Sequence, residues 1–208
     1  MTRTAPQSRS IPLLLTGYGG LLFIAIYIAL GISAPRYDSL RDAISTLEFT
    51  PLRLAQQINF IQFGILVCLF AWAWRRELES GWGVRSIPFF QLVSGIALIG
   101  DGFFIHWPLH MTCDLIAFNA SLCVLFLFAW RVRHDARWRG WAAGSILTAA
   151  AIMLFLFGFG MFQHLGGPAG LMEKLATAAR TLWSVLLVSR LLRGASLAPA
   201  GASLPQAL

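Results

Sequence analysis

Charge is what this sequence has little of. Asp, Glu, Lys and Arg make up 12% of its 208 residues, about half the share usual in soluble proteins. Hydrophobic residues reach 57% and the mean hydropathy is +0.69, so a soluble fold would leave too much apolar surface in water. The solvent for most of the chain is therefore read as lipid. Cysteine is scarce as well. The three, Cys68, Cys113 and Cys123, are an odd number within or beside apolar runs, which argues against a disulfide framework and for small packing residues. No internal repeat, soluble domain or true zinc motif stands out. The formal charge of +7 would suit nucleic acid, but most arginines sit at the ends of apolar runs, where membrane topology places them. Nucleic acid is not an expected partner.

Six apolar runs are present: Ile11 to Ile32, Ile58 to Trp74, Ile87 to Trp107, Thr112 to Trp130, Trp141 to Phe162 and Leu171 to Leu192. The first is too long for a signal peptide, and a cut after Ala34 would leave Pro35 first, so a retained span is expected. The expected fold is all-α, a single six-helix transmembrane domain over residues 11–193. Residues 1–10 would be a cytoplasmic tail and the Ala/Ser/Pro-rich 194–208 a disordered one. With the N-terminus inside, eleven basic residues fall in cytoplasmic segments and four outside, which predicts that both termini are cytoplasmic.

Between the first two runs lies PRYDSLRDAISTLEFTP, Pro35 to Pro51. Ser39 and Asp42 resemble a helix-start signal, and Leu40, Ala43, Ile44 and Leu47 repeat with helical spacing. Arg41, Asp42, Ser45 and Glu48 fall off that face. The pattern predicts a short amphipathic helix lying on the membrane surface as a lid over one mouth of the bundle.

Polar residues inside the runs also form stripes. Gln91, Ser94 and Asp101 share one face, as do Asp114 and Ser121, and as do Glu173, Thr177, Arg180 and Ser184. Asn59 and Gln62 are neighbours in the second run. Ionised groups are costly in hydrocarbon unless paired or wetted, so these faces are expected to turn inward beneath the lid. Arg180 is the deepest charge, and Asp101, Asp114 and Glu173 are its candidate partners. The pair is either structural or part of a cavity for a polar headgroup. His106 and His110 bracket Trp107-Pro108 at the same mouth, with His164 nearby, so a metal or plain interfacial histidines are both open readings. The run LFLFGFGMF, Leu154 to Phe162, reads as packing plus lipid contact, with a hydrophobic pocket as the rival. Gly140 and Gly144 read as a close helix-packing face.

Arg36-Tyr37-Asp38, Leu40-Arg41-Asp42, Ile44-Ser45 and Leu47, with Gly170-Leu171-Met172-Glu173-Lys174 and Arg190-Leu191-Leu192, resemble the domain-of-unknown-function 998 family over roughly residues 12–193. The resemblance implies a small bacterial polytopic membrane protein, and the bacterial inner membrane is the expected location. It marks Asp38, Arg41, Asp42, Ser45 and Glu173 as positions of interest. Glu48 and Lys174 depart from its expected glycine and arginine, and HWPLHMTCD departs from its usual short turn.

Three functions are carried forward. One is an outward-facing cavity that binds a membrane lipid, isoprenoid or other amphiphile through Asp38, Arg41, Asp42, Ser45, His106, His110, His164 and Arg180. Another is an intramembrane enzyme: a cyclase or isomerase using Asp101, Asp114 or Glu173 as acid, or a metal-assisted lipid hydrolase. The last is a structural accessory subunit. Cofactor and oligomeric state stay unassigned.

Overall fold

The computed structural model describes residues 11–78, 81–104, 108–195 and 197. Most of both expected tails lies outside the described residues, as does His106. The first span is built from α1 (Ile11–Leu15), a 3-10 turn (Thr16–Tyr18) and α2 (Gly19–Ser33). The others are α3 (Arg53–Glu77), α4 (Ser86–Phe103), α5 (Leu109–Val132), α6 (Trp141–Leu165) and α7 (Ala169–Leu192). All six spans are long and apolar enough to cross a membrane, and no strand occurs among the described residues. This is an integral membrane protein.

Turn chemistry sets the breaks. Pro108 stands at the N-terminal cap of α5, as expected for a proline between spans three and four. Gly140 and Gly166 flank α6 with φ of 83° and 72°, a conformation that glycine adopts without a Cβ penalty. Large apolar side chains such as Leu147, Leu154, Phe157 and Leu165 face outward on α6, while Phe155 and Leu156 pack inward. The phenylalanine-rich run is thus split between lipid contact and core.

Two apolar clusters hold the bundle. One, at the arginine-rich end, centres on Trp74, Phe128, Trp138 and Trp183, with the Trp183 and Phe128 rings edge to face at 5.4 Å. The other joins α2, α3 and the connector through Phe23, Tyr27, Ile44, Leu47, Phe60 and Phe63.

Helices α3 and α4 meet backbone to backbone through Gly64 and Gly95, whereas Gly144 makes no such approach. A Cβ on Gly95 would lie 2.8 Å from the Gly64 carbonyl oxygen and 2.9 Å from the Cys68 nitrogen, both backbone atoms that cannot step aside. A Cβ on Gly144 would meet nothing within 4 Å. Small residues let membrane helices touch backbone to backbone, and that contact replaces the hydrophobic drive that lipid does not supply. Gly95→Leu is therefore expected to cost about 3 kcal/mol or more. Gly144→Ala should stay within about 1 kcal/mol of the wild type. Melting curves in one detergent compare the two.

The connector differs from a single surface helix. Residues 34–43 are turns, and only Ile44–Phe49 is helical, as a 3-10 helix. Its acids fold it locally: the Asp38 N–H donates to Asp42 Oδ2 at 2.7 Å, and the Leu40 N–H to Asp38 Oδ1 at 2.9 Å. Short polar side chains that bond nearby backbone compete with helix.

Candidate functional site

The connector is bonded to the start of α7. The first N–H groups of a helix have no partner within it, and here two of them find carbonyls of the connector. Gly170 N–H donates to Arg41 O at 3.0 Å and Leu171 N–H to Leu40 O at 2.9 Å. Lys174 Nζ donates to Asp42 O at 2.8 Å, and Ile44 N–H donates to Glu173 Oε2 at 2.7 Å. The connector and Gly170–Lys174, both part of the family resemblance, thus lie against each other.

Beneath the connector, ionisable side chains from four elements meet. Asp101 comes from the last turn of α4, His110 and Asp114 from the first turns of α5, Glu48 from the connector and Glu173 from α7. Asp101 is 0% exposed and Glu48 1%. His110 Nδ1 lies 3.8 Å from Asp101 Oδ1 and 3.9 Å from Glu48 Oε2, and its Nε2 lies 3.6 Å from Asp114 Oδ2. Glu173 stands at the edge, close enough to Asp114 and His110 to feel their charge.

The histidine tautomer follows from its neighbours. Nδ1 lies 3.1 Å from the Phe104 carbonyl oxygen and 3.3 Å from that of Asp101, and a carbonyl only accepts. Nδ1 therefore carries a hydrogen, and in the neutral ring Nε2 is a bare lone pair facing a carboxylate. Nε2, both Asp101 oxygens and Glu48 Oε1 are buried without a hydrogen-bond partner. Buried acceptors facing one another repel, so a proton or a cation belongs among them. Burial and the nearby Asp114 carboxylate push the Glu48 carboxyl up from its ordinary 4.5 to about 8.

The family model described as Protein of unknown function (DUF998) matches residues 18–190. The chain belongs to the DUF998 family. No curated protein and no solved structure matches it.

In this DUF998 chain the other expected residues divide. Asp38 and Arg41 are exposed and 3.8 Å apart, Asp42 turns the connector, and Ser45 is half-buried beside it. His164 is exposed in the last turn of α6. Arg180 lies in a separate layer deeper in the bundle. Its Nη2 donates to Ser94 Oγ at 2.9 Å, and Ser94 lies 3.1 Å from Ser121 Oγ. Among the described residues no carboxylate lies within 4.0 Å of Arg180. The void it shares with Gln91, Thr181 and Ser184 is ≈ 20 Å³, room for a water and not for a headgroup. Glu48 is the cluster member that the sequence did not single out. Its one signal was an acid standing where the family resemblance led one to expect glycine.

Proposed function

We propose that this membrane protein binds the polar end of a lipid or other amphiphile at the cluster of Glu48, Asp101, His110, Asp114 and Glu173. The observation that carries the reading is the set of buried, unpartnered acceptors on Asp101, Glu48 and His110 at one end of the bundle. Buried ionisable groups in a membrane bundle are expensive, and a ligand that complements them accounts for their presence. Asp114 and His110 keep side-chain exposures of 22% and 12%, so the cluster is reachable from its α5 side. Leu40, Phe49, Leu54 and Phe103 are exposed apolar side chains of the connector and the helix ends beside it, a rim along which an acyl or isoprenoid tail can lie. The distribution of arginines supports placing this end outside a bacterial inner membrane. Because the cluster is rich in carboxylates, it favours a headgroup that is cationic, a hydrogen-bond donor or bridged by a cation.

Native mass spectrometry of the detergent-purified protein tests this. Wild type should retain an amphiphile adduct that the double variant Asp101→Asn, His110→Gln loses. Identical adducts on both proteins would reject the site. An enzymatic role for the cluster then requires turnover of the recovered amphiphile.

A further inference from the structure

We propose that Asp101, His110 and Asp114 hold a divalent transition-metal ion, with Glu48 beside it as an additional acceptor. This goes beyond the headgroup reading, since it requires the cluster but no lipid.

The geometry is that of ligands slightly spread. One donor atom from each of Asp101, His110 and Asp114 lies within 4.8 Å of the other two. Donors about 2.1 Å from a tetrahedral ion sit about 3.4 Å apart, so the 3.6 Å between His110 Nε2 and Asp114 Oδ2 already fits. The wider contacts, within 4.8 Å, need a closure of up to about 1.4 Å, within reach of carboxylate rotamers. The outer contact is also in place. A ligating histidine usually donates its other N–H to a carbonyl or carboxylate, and Nδ1–H faces the Phe104 carbonyl at 3.1 Å. This leaves Nε2 bare on the side of Asp114.

Charge points the same way. Glu48, Asp101 and Asp114 surround one imidazole, and the nearest amine, Lys174 Nζ, is taken up by the carbonyls of Asp42 and Gly170. Arg180 is engaged with Ser94 in the layer below. One imidazole among carboxylates suits Zn²⁺ or Mn²⁺ better than Ca²⁺ or Mg²⁺, which favour all-oxygen shells. The His110 and Asp114 spacing of four residues on α5 puts both on one face, and Asp101, in the last turn of α4, lies 3.8 Å from the His110 ring.

The test uses the full chain, purified in detergent without a histidine tag, stripped with a chelator and titrated with Co²⁺ and then Zn²⁺. Wild type should develop a visible Co²⁺ band that saturates at about one ion per chain and is displaced by Zn²⁺. Asp101→Asn and His110→Gln should each weaken the ion by at least about 100-fold. His134→Gln, in the loop at the opposite end, should not change it. Zn²⁺ should raise the melting temperature of the wild type and leave both site variants unmoved. Absence of a saturable band in the wild type overturns the proposal, as does a band that survives in both site variants. If a variant does not fold, the wild-type titration decides alone. A protein that binds Co²⁺ but retains no amphiphile keeps this site and rejects the headgroup reading; the reverse result rejects the metal alone.

Discussion

Raising the pH from about 5 to about 9 should lower the thermal stability of the wild-type protein, and Glu48→Gln should remove much of that slope. The sign comes from where the proton is held. Glu48 titrates near 4.5 when unfolded and at about 8 in the fold, where burial and the Asp114 carboxylate disfavour its charge. Between those values the folded protein holds a proton that the unfolded chain has already released. Stability contributed by the neutral carboxyl is therefore complete below 4.5 and is lost as the pH climbs toward 8. One such group changes stability by at most about 1.4 kcal/mol per pH unit. The charge that develops faces His110 across 3.9 Å and Asp114 beyond it, and no cationic side chain bonds it among the described residues. Melting curves across this range, with chelator present, measure the slope. Equal pH slopes for the wild type and Glu48→Gln would reject a buried neutral Glu48. If a divalent ion occupies the cluster, adding it should flatten the wild-type curve, because the ion supplies the positive charge that the proton otherwise supplies.

Gly170→Ala should be among the most damaging single-methyl changes in the chain. A Cβ at position 170 would overlap the Asp42 carbonyl oxygen and stand 2.6 Å from its carbon. Both are backbone atoms of the connector, held there by Arg41 O on Gly170 N–H and by Lys174 Nζ on Asp42 O. To admit the methyl, the connector must lift from α7. It then gives up these bonds and leaves Ile44 N–H without Glu173. Overpacking of this kind costs about 1–3 kcal/mol, and each buried group left unpaired adds about 1–3 more. The expected result is a lower melting temperature together with loss of whatever the cluster binds. Gly160→Ala, where a Cβ meets nothing within 4 Å, is the matched control. Equal melting temperatures for the two variants would show that the connector is not seated on α7.

The spans were legible because mostly apolar runs of 17 to 22 residues have few other uses, and the arginines and Pro108 mark their ends. The inward stripes were legible too. Gln91, Ser94 and Asp101 are all buried, as are Glu173 and Thr177, because an unpartnered polar face in lipid is too costly. What helical periodicity concealed was the connector. A 3.6-residue repeat groups Leu40 with Ile44 and Leu47 and sets Glu48 outside. The observed 3-10 turn has a period of about three, which buries Ile44 and Leu47 together and brings Ser45 and Glu48 onto one side. The local sequence does not reveal that the carbonyls of residues 40–42 are needed by a helix about 130 residues later, and carbonyls so used are not free to continue a helix. Arg180 failed to meet a carboxylate for a simpler reason. Its depth on α7 sets it level with Ser94, two helical turns from Asp101 on α4.

The long sequence separation between the connector and α7 has a consequence for biogenesis. During synthesis the first five spans are made before the start of α7 that will clasp Leu40 to Asp42. Until Ala169 to Lys174 arrive, the connector over Asp101 and Asp114 has nothing to hold it down, and nascent chains truncated before that point should be recognised by quality-control proteases while the finished protein is not.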